Sequence, residues 1–444
     1  MSSTLIKNAL LVNEGQIVAS DLRIAGHRID KIAPSISARP TDKIVDASGC
    51  YLLPGMIDDQ VHFREPGLTH KGDIASESRA AVVGGITSYM EMPNVKPATT
   101  TLAALEHKYA LANSKSLGNY AFYLGATEDN LDTIKRLDPT RHCGVKVFMG
   151  ASTGDLLVEN PQALDNIFKD SPVLIVTHCE SGPVIASNHQ RLLQTHSQLR
   201  IEDHPIIRDA EACYASSSYA VALAKKHRSQ LHVLHITTEK ELSLFTPGPI
   251  ANKHITAEAC VHHLWFTDRD YARLGNQIKC NPAIKSQQDR DALLAALHTN
   301  HIDIIATDHA PHTLAEKQLD FEQAPAGLPL VQHALLTLLE HVEQGRLQLT
   351  QVVEKVAHNP AIRYAIAERG FIREGYFADL VLVDMQGSTP VSQENCLYKC
   401  QWTPFADHRF PASIKSTWVN GQRVFDGEQL VANSHAGMAL SFLR

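Results

Sequence analysis

Four residues of metal-ligand type stand at or near the ends of separate apolar runs. His62 closes Gly55–His62, His178 closes Val173–His178, His235 lies near the end of Leu231–Ile236, and Asp308 closes Ile302–Asp308. Imidazole nitrogens and carboxylate oxygens are donors for zinc and related divalent ions. The chemistry in view is therefore that of a bound divalent ion. Lys146 sits inside the otherwise apolar run Gly144–Met149. Arg64 lies two residues beyond His62 and points to the same face by strand alternation. Singly, each has an ordinary reading. A strand-end histidine is more often a satisfied polar residue, a buried lysine can pair with a carboxylate, and Asp308 can cap a loop. The argument is carried by their joint placement on one face.

The elements that must position them form a repeating series. Compact apolar runs at Gly55–His62, Ile86–Met92, Tyr120–Ala126, Gly144–Met149, Val173–His178, Leu231–Ile236, Ile255–Cys260 and Ile302–Asp308 alternate with amphipathic stretches. Helices are predicted at Asp73–Val83, Leu102–Ala112, Asn160–Ile167, Ala210–His227 and Arg290–Leu297, and after the last run at Leu330–Glu343, Val352–Val356 and Ala361–Glu368. Eight buried parallel strands with intervening helices make an α/β protein of the (β/α)₈ TIM-barrel class, whose chemistry sits at the C-terminal ends of the strands. The first 54 residues instead read as short strands, Leu5–Val12, Ile17–Ile24 and Ile29–Ile32. So does the tail, at Ala378–Val383, Ile414–Val419 and Gln422–Phe425. The expected organisation is therefore residues 1–54 and 366–444 as two parts of a small accessory β domain, with residues 55–365 as the barrel.

Bulk properties narrow the function class. A net charge of -7, from 41 basic and 48 acidic residues well mixed, offers no basic stripe for nucleic acid. The apolar stretch Ala9–Val12 is too short for a secretory signal, and no run is long enough for a membrane span. Eight scattered cysteines without a CxxC pair fit free thiols and a cytoplasmic location.

Several motifs then resemble one family. Pro54-Gly55-Met56-Ile57-Asp58 runs into Val61-His62-Phe63-Arg64-Glu65-Pro66-Gly67. Further along stand Glu91-Met92-Pro93-Asn94, Thr256-Ala257-Glu258 with His262-His263-Leu264, and Ala306-Thr307-Asp308-His309-Ala310-Pro311-His312-Thr313. Together with Glu374-Gly375-Tyr376 and Ala378-Asp379-Leu380, they are similar to the dihydroorotases of the cyclic amidohydrolase superfamily over nearly the whole chain. The resemblance implies a zinc enzyme that interconverts N-carbamoyl-L-aspartate and L-dihydroorotate in pyrimidine biosynthesis. His62, His178 and His235 match metal-binding histidines. Lys146 matches a lysine whose N6-carboxylated form bridges two zinc ions. Asp308 matches the aspartate that binds metal and shuttles a proton. Arg64, Asn94 and His312 match residues that hold the substrate carboxylate, and Asn281 a substrate-contacting asparagine. Ala326 and Gly327 match backbone donors to the pyrimidine ring.

One departure matters. The family shows His-x-His on the first strand, where this chain has Gln60-Val61-His62. An amide oxygen is a weaker zinc ligand than imidazole. The site then holds two ions with Gln60 or Asp58 as an oxygen donor, or only one. The departure opens a second reading, a degenerate scaffold for aspartate transcarbamoylase. A third is a hydrolase of another cyclic amide, of hydantoinase or allantoinase type. A decayed site should lose several ligands and the substrate clamp together, so the enzyme reading is preferred. A homodimer and a transcarbamoylase partner both remain open, and the segment from His309 to Pro329 is expected to combine a substrate clamp with a mobile loop.

Overall fold

The computed structural model describes residues 3–150, 156–431 and 436–444. Its centre is a TIM barrel of parallel strands. Met56–Val61, Ile86–Glu91 and Asn119–Phe122 pair in that order. Leu124–Gly125, Val145–Met149, Ile175–Cys179, Leu231–Val233, Ile255–Cys260 and Ile304–Ala306 continue the series. The predicted third strand is broken at Tyr123, whose hydroxyl turns to the Asp59 carbonyl at 2.9 Å and to Tyr364 at 2.7 Å. The seam between the last and first strands is closed by the His62 N–H, which donates to the His309 carbonyl at 2.7 Å. These strands are buried on both faces, which is why they read as unbroken apolar runs.

The sixth and eighth strands are shorter than predicted. They stop at Val233 and Ala306, so His235 and Asp308 lie two residues beyond regular pairing. The predicted helices are present, Ala210–His227 with the predicted bounds and the others with one or both ends shifted, such as Ile74–Val83 capped by Asp73 and Pro161–Asp170 capped by Asn160. In each, a cap side chain accepts a backbone N–H that the first turn leaves open. A helix at Gly182–Leu193 was not predicted.

The strands near both chain ends form one eight-stranded sheet. Its order runs Gln422–Phe425, Ser413–Val419, Leu380–Asp384, Tyr51–Pro54, Ser3–Asn13, Gln16–Ala25, Arg28–Ala33, with Asp42–Asp46 also on Ser3–Asn13. It has its own apolar core around Ile6, Leu22, Leu52, Leu380 and Trp418. Gly55 joins this sheet to the barrel, and a Cβ there would lie 2.1 Å from Thr87 Oγ1, so only glycine fits the junction. The final segment returns to the barrel: Tyr120 N–H donates to Met438 O, and Leu443 N–H to Ala365 O. No helix among the described residues is long and apolar enough to cross a membrane, and all eight cysteines are free thiols.

Candidate active site

Gln60, His62, Arg64, Asn94, Lys146, His178, His235, Asn281 and Asp308 line one cavity at the C-terminal ends of the barrel strands. Phe148, Cys280, Ala310, Ala326 and Gly327 complete its wall. His312 stands behind this wall, with Nε2 3.0 Å from Arg64 Nη2 and 3.0 Å from the Ala326 carbonyl, and Nδ1 accepting from Lys71 Nζ at 3.0 Å.

Three of the non-glycine cavity residues have left-handed backbone conformations: Arg64 (φ 71°), His235 (φ 40°) and Asp308 (φ 48°). Such conformations are uncommon outside glycine and persist only where surrounding contacts fix them. For Asp308 the fixing contacts come from Asp58, whose two carboxylate oxygens accept the Thr307 N–H at 3.1 Å and hydroxyl at 2.6 Å. Both Asp58 oxygens are thereby tied to Thr307, so Asp58 holds the turn that presents Asp308, and it is not among the residues that line the cavity. Burial pushes its carboxyl up to about 7. For His235 the contact is Glu258 Oε1, which accepts the His235 N–H at 3.2 Å.

Two pairs of donor atoms face each other. His178 Nδ1 and His235 Nε2 are 3.0 Å apart, and His62 Nε2 and Asp308 Oδ1 are 3.1 Å apart. Nitrogen and oxygen ligands bound at about 2.0–2.1 Å to one tetrahedral ion stand roughly 3.4 Å from each other. Both pairs are close to that spacing, so these residues fit a metal. His178 is set for the task by Glu180, a residue the sequence reading missed. His178 Nε2–H donates to Glu180 Oε2 at 3.0 Å, and Arg208 donates to the same oxygen at 2.5 Å. That contact fixes the tautomer and leaves the Nδ1 lone pair toward His235. A carboxylate two residues after His178, on the same face, was the available signal.

Electrostatics keep these donors usable. Burial lowers the His62 ring to about 4 and His235 well below its ordinary value, so both are neutral at pH 7. Burial alone would raise Asp308, but the His62 hydrogen bond and nearby positive charge outweigh it and hold the carboxyl low. Burial brings the Lys146 ammonium down to about 8, with Nζ 4.8 Å from the Phe148 ring centre. A readily deprotonated amine is what carboxylation of a lysine requires.

The substrate side of the cavity is organised around Arg64. Its Nε donates to the Pro311 carbonyl at 3.0 Å, and no carboxylate among the described residues lies within ion-pair distance of it. Burial lowers it to about 10, and it remains a cation at neutral pH. Asn281 contributes an Oδ1 that is buried without a hydrogen-bond partner.

The segment from His309 to Pro329 is packed and not loose. Lys317 donates to the carbonyls of Lys279, Pro325 and Gly327 at 3.1, 2.8 and 2.9 Å. Gly327, at φ 141°, has its N–H engaged by the Lys279 carbonyl at 2.8 Å, which corrects the expectation that this amide serves the ring. A Cβ there would lie 2.4 Å from the Ala310 carbonyl.

Two further groups of donors lie nearby among the described residues. Asp59, His232 and Glu258 cluster in the barrel interior, and Cys260, His262 and His263 cluster at the end of the seventh strand.

Comparison with known proteins adds the following. The family model described as the amidohydrolase family matches residues 51–424. A dihydroorotase of Halobacterium salinarum is 33% identical over 437 residues, covering 96% of this chain and 97% of that protein. An allantoinase of Solibacter usitatus is 30% identical over 448 residues, covering 98% of this chain and 96% of that protein. Among solved structures, the L-hydantoinase (dihydropyrimidinase) from Arthrobacter aurescens superposes with a TM-score of 0.92 at 24% identity, covering 99% of this chain and 100% of that one.

Proposed function

The chain belongs to the amidohydrolase family and is a metal-dependent cyclic amidohydrolase; from that premise we propose that it is a zinc-dependent dihydroorotase. The observation that carries this reading is Arg64, a buried guanidinium lining the cavity with no carboxylate among the described residues within ion-pair distance of it. Asp308, Glu91 and Glu316 offset its charge only from beyond ion-pair distance; a buried cation with no direct counter-charge is costly, so an anionic ligand suits the site. Dihydroorotate and carbamoyl aspartate supply carboxylates, whereas the hydantoin ring and allantoin do not. Arg64 is the clamp for that carboxylate, with Asn94 and Asn281 beside it on the cavity wall and His312 braced behind it.

In this reading His62, His178, His235, Asp308 and Lys146 in its carboxylated form would hold the metal, with Gln60 as a further oxygen donor. Zinc there would supply Lewis acidity toward the amide carbonyl and bring the pKa of water down to about 7. Asp308, ionised and bonded to His62, accepts the proton that water gives up and delivers it to the departing ring nitrogen. Ring closure runs the same transfers backwards. The barrel, residues 55–365, carries this chemistry, and segments 1–54 and 366–444 frame it.

The test is a substrate comparison on zinc-loaded protein. Carbamoyl aspartate is offered at mildly acidic pH and dihydroorotate at alkaline pH, with hydantoin and allantoin assayed alongside. The expected result is turnover of the carboxylate-bearing pair. Turnover of an uncharged ring in their place would move the assignment to a hydantoinase or allantoinase. Bound metal with no turnover of any of the four would leave the transcarbamoylase scaffold.

A further inference from the structure

Cys260 ends the seventh barrel strand and points into the barrel, on the same face as Glu258 two residues before it. Its Sγ is 3.5 Å from Glu258 Oε1 and 3.8 Å from Gln60 Oε1. His262 and His263 begin the helix that follows, Val261–Trp265, with their rings 3.9 Å apart between centres. Cys260 Sγ and one nitrogen from each histidine all lie within 4.8 Å of one another.

Neither ring nitrogen of His262 has a well-formed hydrogen bond, although the side chain is fully buried. Its polar interactions are with the Asp308 charge and the Thr307 backbone. His263 Nε2–H donates to the Pro282 carbonyl at 3.1 Å, which leaves Nδ1 as a buried lone pair without a partner. Buried polar atoms are nearly always satisfied, so two imidazoles left open around one thiol need an explanation. A backbone carbonyl on the far nitrogen is also how proteins commonly orient a metal-binding histidine.

We propose that Cys260, His262 and His263, with the amide oxygen of Gln60, form a thiolate-containing metal position adjoining the catalytic cavity. The donor set, one sulfur, two nitrogens and one oxygen, is of the kind that takes zinc or cobalt(II). Sulfur at about 2.3 Å and oxygen at about 2.1 Å on one tetrahedral ion stand roughly 3.6 Å apart. The observed separation of Cys260 Sγ from Gln60 Oε1 is 3.8 Å. On binding, the Cys260 S–H bond breaks, sulfur keeps the electron pair as a bond to the ion, and the proton passes to solvent. This gives Gln60, which stands where the family has histidine, a further role: the oxygen assigned above to the catalytic ion also faces the Cys260 thiol. Gln60 is shared with the site proposed above, and the inference rests on that reading to this extent.

Cobalt(II) added to metal-free protein is the probe. A thiolate bound to cobalt gives a charge-transfer band in the near ultraviolet that histidine and carboxylate ligands do not give. The expected result is this band in the wild type, its loss in Cys260→Ser together with one equivalent of bound cobalt, and its retention in Cys280→Ser. A cobalt-loaded wild type without the band overturns the proposal, as does a band that survives in Cys260→Ser. Should Cys260→Ser fail to fold, the wild-type and Cys280→Ser spectra still decide. Dihydroorotate turnover measured on the same wild-type sample separates the two readings. Turnover without the band removes this metal position and leaves the dihydroorotase, and a band without turnover does the reverse.

Discussion

The barrel uses histidine and carboxylates at two levels along its axis, and the two levels behave differently. At the mouth, His62, His178 and His235 border a cavity, are lowered by burial, and are neutral. Below them, His232 sits between two carboxylates, with Nε2 3.2 Å from Asp59 Oδ2 and 3.4 Å from Glu258 Oε2, while Nδ1 is 2.8 Å from Thr256 Oγ1. Burial alone would lower His232, but Asp59 and Glu258 outweigh it and push the ring up to about 9. Residue type therefore does not decide between ligand and ion pair. At the mouth burial outweighs the one carboxylate beside His62 or His178, with Lys146 opposing protonation of both, and each ring keeps a lone pair to offer; His232, held between Asp59 and Glu258, becomes a cation. Glu258 joins the levels, since its other oxygen holds the His235 N–H.

If the mouth is chemical and the interior structural, substitutions should separate activity from stability. Asp308→Asn has the largest expected effect: kcat falls by about 10²–10⁴-fold with little change in the unfolding midpoint. Substantial remaining turnover would remove Asp308 as the proton carrier. Asp59→Ala should do the opposite, costing about 3 kcal/mol in urea unfolding, because it leaves the His232 charge without one of its buried partners. A variant as stable as the wild type would show that this triad is not a structural ion cluster. Arg64→Met should raise KM for dihydroorotate by about 10–100-fold while metal content stays constant, the range of a charged hydrogen bond worth about 1.5–3 kcal/mol. An unchanged KM would place the carboxylate elsewhere.

The smallest effect is in pH. His232 is raised on folding to about 9, so the folded state binds its proton more tightly than the unfolded chain does. Its contribution is complete below about 6.5 and is lost as pH rises through about 9. Glu258, raised by burial and by Asp59, also releases a proton in this direction. The unfolding midpoint should fall from pH 6.5 to pH 9, and His232→Asn should flatten the slope. Equal slopes in the two proteins would count against a protonated His232.

The barrel was legible because its strands are buried on both faces and so form continuous apolar runs, each followed by a helical stretch. Strand ends were less legible: His235 and Asp308 lie past the last paired residue, because their side chains reach the cavity from turns held by Glu258 and Asp58. The helix Gly182–Leu193 escaped notice because it buries little, chiefly Asn188 and Leu192, and carries a polar middle, Ser187-Asn188-His189-Gln190. Site residues could be read where strand alternation placed them beside His62. Glu180 stood at a spacing that could have been read, two residues after His178, and was missed; the roles of Glu258 and the Cys260 cluster arise from contacts between strands, which local spacing does not carry. Gln60 was visible as a departure, but the thiol it faces belongs to a strand 200 positions away.

Lys317 reaches inward to three carbonyls and thereby bolts the 309–329 segment to the strand-seven side of the mouth. So anchored, the wall is expected to keep its place during turnover, with substrate and product exchanging past it as past the rim of a cup. The Gly327 amide should accordingly resist deuterium uptake to the same degree in free and substrate-saturated protein.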